Sequence, residues 1–185
     1  MENVSDFLCV QRVKAGDVQA FAMIVSKYGE MVFTVVRKIV ENREDAEDIT
    51  QEVFIKAFKS LDRFREESAF STWLYRIAYN TCISELRQRK SRFFPVKDNL
   101  LVDNDFAAND DEEDVEIKLQ HLEKALKKLP PDEAFLITLH YMDEQSVENI
   151  SIICNMSVSN VKVKLHRIRK KLSVEINKLM CDEQE

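Results

Sequence analysis

The stretch DAEDITQEVFIKAFKSLDRFREESAFSTWLYRIAYNTCISELRQRKSR, residues 45–92, decides how the rest of the chain is read. It sets an acidic amphipathic helix, a polar turn and an aromatic helix with a basic end in direct succession. In the first helix Ile49, Val53, Phe54, Ala57 and Phe58 recur at three- and four-residue steps and make an inner stripe. Asp45, Asp48, Gln51, Glu52 and Lys56 are left outside, and the acids near Glu44 suit the positive end of a helix running to about Ser60. From Asp62 to Ser71 the periodicity is lost, which predicts a surface loop with Ser71 capping the next helix. That helix spans Thr72 to about Arg89. It turns Leu74, Ile77, Ala78 and Thr81 to one side and makes a polar ridge of Arg76, Asn80, Ser84 and Arg87.

The ridge has a chemistry. Trp73, Tyr75 and Tyr79 offer ring faces to unstacked bases, Arg76, Asn80 and Arg87 offer donors to base edges, and Arg87, Arg89, Lys90 and Arg92 offer charge to a phosphate backbone. An opened single strand exposes the groups that such a helix can hold. Trp73 also suits a core position, and a helix C-terminus favours cations in any case.

Composition bounds the alternatives. With 185 residues, 45% hydrophobic content, 2 Gly and 3 Pro, the chain reads as all-α, because turn-rich β architecture needs more of both breakers. The net charge of -6 excludes a uniformly basic nucleic-acid coat, but the charge is segregated along the chain. Cys9, Cys82, Cys154 and Cys181 form no CxxC pair, so neither a zinc knuckle nor a disulfide framework is indicated and reduced thiols are expected. No basic start precedes an apolar run, and no apolar stretch approaches the ~20 residues that span a bilayer, so a cytoplasmic protein is expected. His121, His140 and His166 lack metal-ligand spacing and no nucleophile motif is present, so the reading is of a protein without catalytic site, metal or cofactor.

Upstream, Asp6 to Lys14 is a short amphipathic helix, Gly16-Asp17 a break with an N-cap, and Val18 to Glu41 a long helix with Phe21, Ile24, Val25, Tyr28, Met31, Val32, Val35 and Ile39 inward. Downstream, Pro95 closes a first domain, residues 1–95. Residues 96–114 form a flexible linker, and the acidic run DNDFAANDDEEDVE between Asp103 and Glu116 cannot build a core. A second domain, residues 115–185, begins with Leu119, Leu122, Leu126 and Leu129 on one helical face and stops at Pro130-Pro131. Asp132 is the expected cap of a helix with Phe135, Leu136 and Leu139 inward.

The end of the chain reads as a helix-turn-helix. Ser146 and Ser157 cap two helices, and Asn155 between them tolerates the positive φ that a tight link requires. On the second helix Val158, Val161, Leu165, Ile168 and Leu172 point inward. Ser159, Asn160, Lys162, Lys164, Arg167, Arg169, Lys170 and Lys171 are left for water or phosphate.

Two of these segments together resemble the extracytoplasmic-function sigma factors, the small two-domain branch of the sigma-70 family of bacterial RNA polymerase sigma factors. DAEDITQEVFIKAF, FSTWLYRIAYN and ELRQRK are similar to the family's second conserved region, and SVENISIICNMSVSNVKVKLHRIRKKL to its fourth. The resemblance implies a specificity subunit that binds core polymerase and promoter DNA. It assigns Asp45, Asp48, Gln51, Glu52 and Phe54 to the clamp of the largest subunit. Phe64, Arg65, Ser68, Phe70, Trp73, Arg76, Asn80 and Arg87 are assigned to the non-template strand of the minus-ten element. Ser157, Ser159, Asn160, Lys162, Lys164, Arg167, Arg169 and Lys170 are assigned to the minus-thirty-five duplex. It also implies a contact between the second domain and the polymerase flap, and an anti-sigma factor as a further partner. Asn155-Met156 and Ser159-Asn160 depart from the residues usual in the family at those places. A stand-alone helix-turn-helix regulator remains the competing reading; it would bind duplex without polymerase and needs a ligand pocket or a dimer seam.

Overall fold

The computed structural model describes residues 5–40, 42–93 and 115–182, and among them every regular element is helical. The elements are α1 (Asp6–Lys14), α2 (Ala20–Ile39), α3 (Arg43–Ser60), a 3-10 turn (Leu61–Arg63), α4 (Phe70–Phe93), α5 (Val115–Lys127), α6 (Pro131–Tyr141), α7 (Val147–Cys154) and α8 (Val158–Asp182). The expected boundary at Pro95 and the acidic stretch 96–114 lie outside the described residues.

Local chemistry explains most helix starts. Ser5 Oγ accepts from Leu8 N, and Asn42 Oδ1 accepts from the amides of Glu44 and Asp45, so α3 begins one residue before the acids mark it. Gly16, with φ of 97°, ends α1, and Asp17 Oδ1 accepts from Ala20 N at 3.3 Å, but the N-cap of α2 is Gln19, which makes no side-chain capping bond, so Asp17 is not the cap expected there. Two further expected caps are corrected. Ser71 lies inside α4, which begins at Phe70, and Asp132 lies in the first turn of α6, whose N-cap is Pro130 with Pro131 as first helical residue. A proline there gives up an amide that has no helical partner in any case.

α1 to α4 form an amino-terminal lobe in which α2 packs on α1, α3 and α4. Ile24, Val32, Val35, Val36, Ala46, Val53, Ala57, Leu74 and Ala78 fill it at 0–1% exposure. Val36 replaces Val25 in the buried set, Val25 being 38% exposed, and Phe58 reaches out to meet Phe21 edge-on at 5.0 Å. α5 to α8 form a carboxyl lobe. There the expected α5 face is rotated: His121 and Ala125 are buried at 1%, while Leu119 is 52% exposed.

The two lobes are packed against each other. α6 packs on α2 and α4 as well as on α7 and α8, and α7 packs on α4. All six residues Ala134–Leu139 are consequently buried, since a helix covered on both sides has no solvent face. Among the described residues no helix is long and apolar enough to cross a membrane, and no group of acids, His and Cys is placed to hold a metal ion.

Candidate nucleic-acid interface

The turn of the helix-turn-helix follows from three residues. Ser146 Oγ accepts from Asn149 N at 3.1 Å and Ser157 Oγ accepts from Asn160 N at 3.2 Å, so each helix starts on a serine. Asn155 between them adopts φ 53°, ψ 51°, the left-handed conformation that closes α7 in one step. Val161, Leu165, Ile168 and Leu172 then bury the inner side of α8.

The outer side sorts the predicted contacts into two groups. Ser157, Ser159, Asn160, Lys162, Arg167, Arg169 and Lys170 are exposed. Lys164 is half-buried with its Nζ 3.1 Å from Asp132 Oδ2, and Lys171 likewise pairs with Glu133 Oε1 at 2.6 Å. Both cations thus tie α8 to the start of α6, where carboxylates also suit the helix dipole. Arg169 Nη1 donates to Tyr141 Oη at 3.2 Å. Sequence reasoning missed two residues of this surface. Val163 is 47% exposed in the middle of it, and His166 is exposed one turn on, so Ser159, Val163, His166 and Lys170 make one outward stripe. The signal available was an apolar residue at an outward helical position among cations.

On α4 the ridge stands as the spacing predicts: Arg76, Asn80, Ser84 and Arg87 are exposed along one side, with half-buried Trp73 on the same side. Trp73 is held by Phe64 and Phe70, whose ring centres lie 5.2 and 5.4 Å away, and the two phenylalanines meet edge-on at 5.4 Å. Phe64 and Phe70 are 7% and 3% exposed, so they support the loop from within. Arg65 is exposed and Ser68 half-buried. α1 braces this loop: Lys14 Nζ donates to Phe64 O at 2.9 Å and Gln11 Nε2 to Glu66 Oε1 at 3.3 Å. Glu66 sits at φ 61°, a backbone region that a non-glycine residue adopts only when its surroundings impose it.

Tyr75 and Tyr79 do not join the ridge. Spaced with Cys82 by four and three residues, they face the carboxyl lobe, where Tyr75 Oη donates to Asp143 Oδ2 at 2.9 Å and Tyr79 meets Phe135 edge-on at 5.1 Å. Burial raises the Tyr75 phenol well above its ordinary range, reinforced by the Asp143 carboxylate, and pushes Tyr79 up to about 12.

The acidic helix presents Asp48 and Gln51 to solvent, with Asp45 and Glu52 half-exposed and Glu52 3.4 Å from Lys56. Phe54 is 8% exposed and belongs to the core. The apolar residue on the outward face is its neighbour Ile55, 46% exposed, which sequence reasoning passed over. On the carboxyl lobe an apolar groove of about 470 Å³ runs between α5, α6 and α8, lined by Leu122, Leu126, Ile137, Met142, Leu172 and Ile176.

Comparison with known proteins fits this arrangement. The family model described as sigma-70 region 2 matches residues 24–92, and that described as sigma-70, region 4 matches residues 119–172. The chain is 33% identical over 179 residues to the ECF RNA polymerase sigma factor SigW of Bacillus subtilis, covering 92% of this chain and 96% of that one. It is 34% identical over 190 residues to the ECF RNA polymerase sigma-E factor of Haemophilus influenzae, covering 97% and 99%. Its fold is similar to that of CnrH, solved in complex with the cytosolic domain of CnrY, with a TM-score of 0.66, 22% identity and coverage of 94% and 97%. It is also similar to the sigma factor RpoE of Bartonella quintana, solved with the anti-sigma factor NepR, with a TM-score of 0.64, 22% identity and coverage of 86% and 98%.

Proposed function

The chain belongs to the extracytoplasmic-function sigma factors of the sigma-70 family, non-catalytic subunits that direct RNA polymerase to promoters, and from that premise we propose how its surfaces divide the work. The exposed face of α3, with Asp48, Gln51 and Glu52 around Ile55, docks on the clamp of the polymerase largest subunit. The α4 ridge, with Trp73, Arg76, Asn80 and Arg87, captures the non-template strand of the minus-ten element, and Arg65 and Ser68 of the braced loop border the captured bases. The outward side of α8 reads the minus-thirty-five element in the major groove. The groove between α5, α6 and α8 accepts an apolar segment of the flap. An anti-sigma factor is a further partner.

The observation that carries this reading is the coexistence of two nucleic-acid surfaces of different kind. One is a polar ridge beside a half-buried indole, suited to single-stranded bases; the other is a capped helix-turn-helix, suited to duplex. A stand-alone duplex-binding regulator has no use for the first. Run-off transcription with bacterial core polymerase on a pool of random promoters is the test, and starts that depend on the chain are the expected result. Asn80→Ala refines it: the side chain is exposed, so the variant should lower open-complex formation while polymerase binding persists, and equal loss of both would remove the strand-capture role. Trp73→Ala is the poorer probe, because it also dismantles the Phe64–Phe70 ring cluster.

A further inference from the structure

The loop that borders the proposed strand site is anchored at its ends and not in its middle. Leu61, Phe64 and Phe70 are 2%, 7% and 3% exposed, and both phenylalanines close on Trp73. Between them Arg65, Glu66 and Glu67 are exposed, so burial does not fix their course. Glu66 at φ 61° also occupies a conformation disfavoured on the order of 10-fold for a residue with a side chain. A hold from outside the loop is needed to keep it there.

α1 supplies that hold. It is itself fixed, since Cys9 and Val10 are buried where it packs on α2. Tyr28 Oη donates to Asp6 Oδ2 at 2.6 Å, and the Tyr28 ring lies 5.5 Å from that of Phe70, so α1 also backs the ring cluster beneath Trp73. Gln11 and Lys14, three residues apart on one helical face, then reach the loop. Lys14 Nζ donates to Phe64 O at 2.9 Å and Gln11 Nε2 to Glu66 Oε1 at 3.3 Å. The two bonds fall on either side of Arg65, whose side chain stays exposed.

We propose that Gln11 and Lys14 are positioning residues for the minus-ten contact: by holding Phe64 and Glu66 they fix the direction in which Arg65 and Ser68 meet the captured bases, so that α1 sets base selectivity without touching DNA. The consequence rests on the strand-capture reading above, whereas the geometry does not. Losing one such bond frees the loop to sample other turns, and the preference at the base it borders falls by about 5-fold. Contacts to the rest of the promoter and to polymerase stay as they are.

The test uses holoenzyme assembled from the full chain and bacterial core polymerase on a promoter pool randomised through the minus-ten element, with run-off transcripts sequenced. Arg65→Ala locates the position the loop reads. At that position Lys14→Met should lower the base preference about 5-fold, and Lys14→Arg, which keeps a donor, should retain it. Gln11→Glu places like charges together and should also lower it; Gln11→Glu combined with Glu66→Gln exchanges donor and acceptor and should restore it. Thermal stability, polymerase affinity and minus-thirty-five preference should stay level throughout, which a merely structural brace would not predict.

Folded Lys14→Met and Gln11→Glu variants with unaltered base preference overturn the proposal, as does a double variant that fails to recover. A Lys14→Met variant that keeps its preference but flattens the salt dependence by about 0.9 would make Lys14 a phosphate contact instead, and that too overturns it. A native chain without base preference at minus ten refutes strand capture and this inference together, whereas a native preference that the α1 variants leave untouched refutes the inference alone.

Discussion

Lys162→Ala and Lys164→Ala delete the same charge two residues apart on α8, yet they should behave differently on DNA. Lys162 is exposed, as is Arg167, while Lys164 is held 3.1 Å from Asp132 with about a third of its side chain exposed. Each phosphate neutralised contributes roughly -0.9 to the slope of log affinity against log salt, so Lys162 and Arg167 together contribute about -1.8. A fourfold rise in salt then weakens binding to a minus-thirty-five duplex by about 12-fold through these two residues. Lys162→Ala should bring their contribution to about -0.9 and the loss over the same salt range to about 3.5-fold. Lys164→Ala should leave the slope as it is, since its charge is already answered by a carboxylate. An ion pair of this exposure is worth only about 0.2–1 kcal/mol, so the fold survives its loss. Fluorescence anisotropy of a labelled duplex across a salt series measures both variants. If Lys164→Ala flattens the slope as much as Lys162→Ala does, the pairing with Asp132 does not restrain that lysine on DNA and the sorting of α8 cations is refuted.

Val163, exposed among cations, should read a thymine methyl in the major groove. Replacing each thymine of the minus-thirty-five element by deoxyuridine should weaken the native chain at one position and leave Val163→Ala indifferent there; no sensitive position would end that assignment. Ile55→Asp should lower affinity for core polymerase while leaving thermal stability nearly unchanged, as the side chain is 46% exposed, whereas Phe54→Ala should cost about 3–5 kcal/mol of stability, read by denaturant titration. Burial pushes the thiols of Cys82 and Cys154 up to about 12, so at neutral pH they hold almost no thiolate. A thiol reagent counted by mass spectrometry should therefore modify Cys181 of the native chain rapidly and reach Cys82 and Cys154 only on unfolding; rapid labelling of either would contradict the packing around it.

The elements of this protein are legible in its sequence because they are decided within a few residues. The spacing of Ile49, Val53 and Ala57 makes α3 amphipathic, serines 146 and 157 meet amides three residues on, and Asn155 supplies a left-handed turn, all without reference to the rest of the chain. The ridge of Arg76, Asn80, Ser84 and Arg87 is legible for the same reason. What a side chain faces beyond its own helix is a different matter. Periodicity does not say that Lys164 meets Asp132, that Leu119 turns outward while His121 is buried, or that Phe54 lies inside and Ile55 outside. Nor does it say that Tyr75 and Tyr79 leave the strand-facing side for the other lobe. Those outcomes depend on which neighbour arrives across a distance in sequence. Here α6, buried on both sides, brings the two lobes together, and only the tertiary structure holds that information.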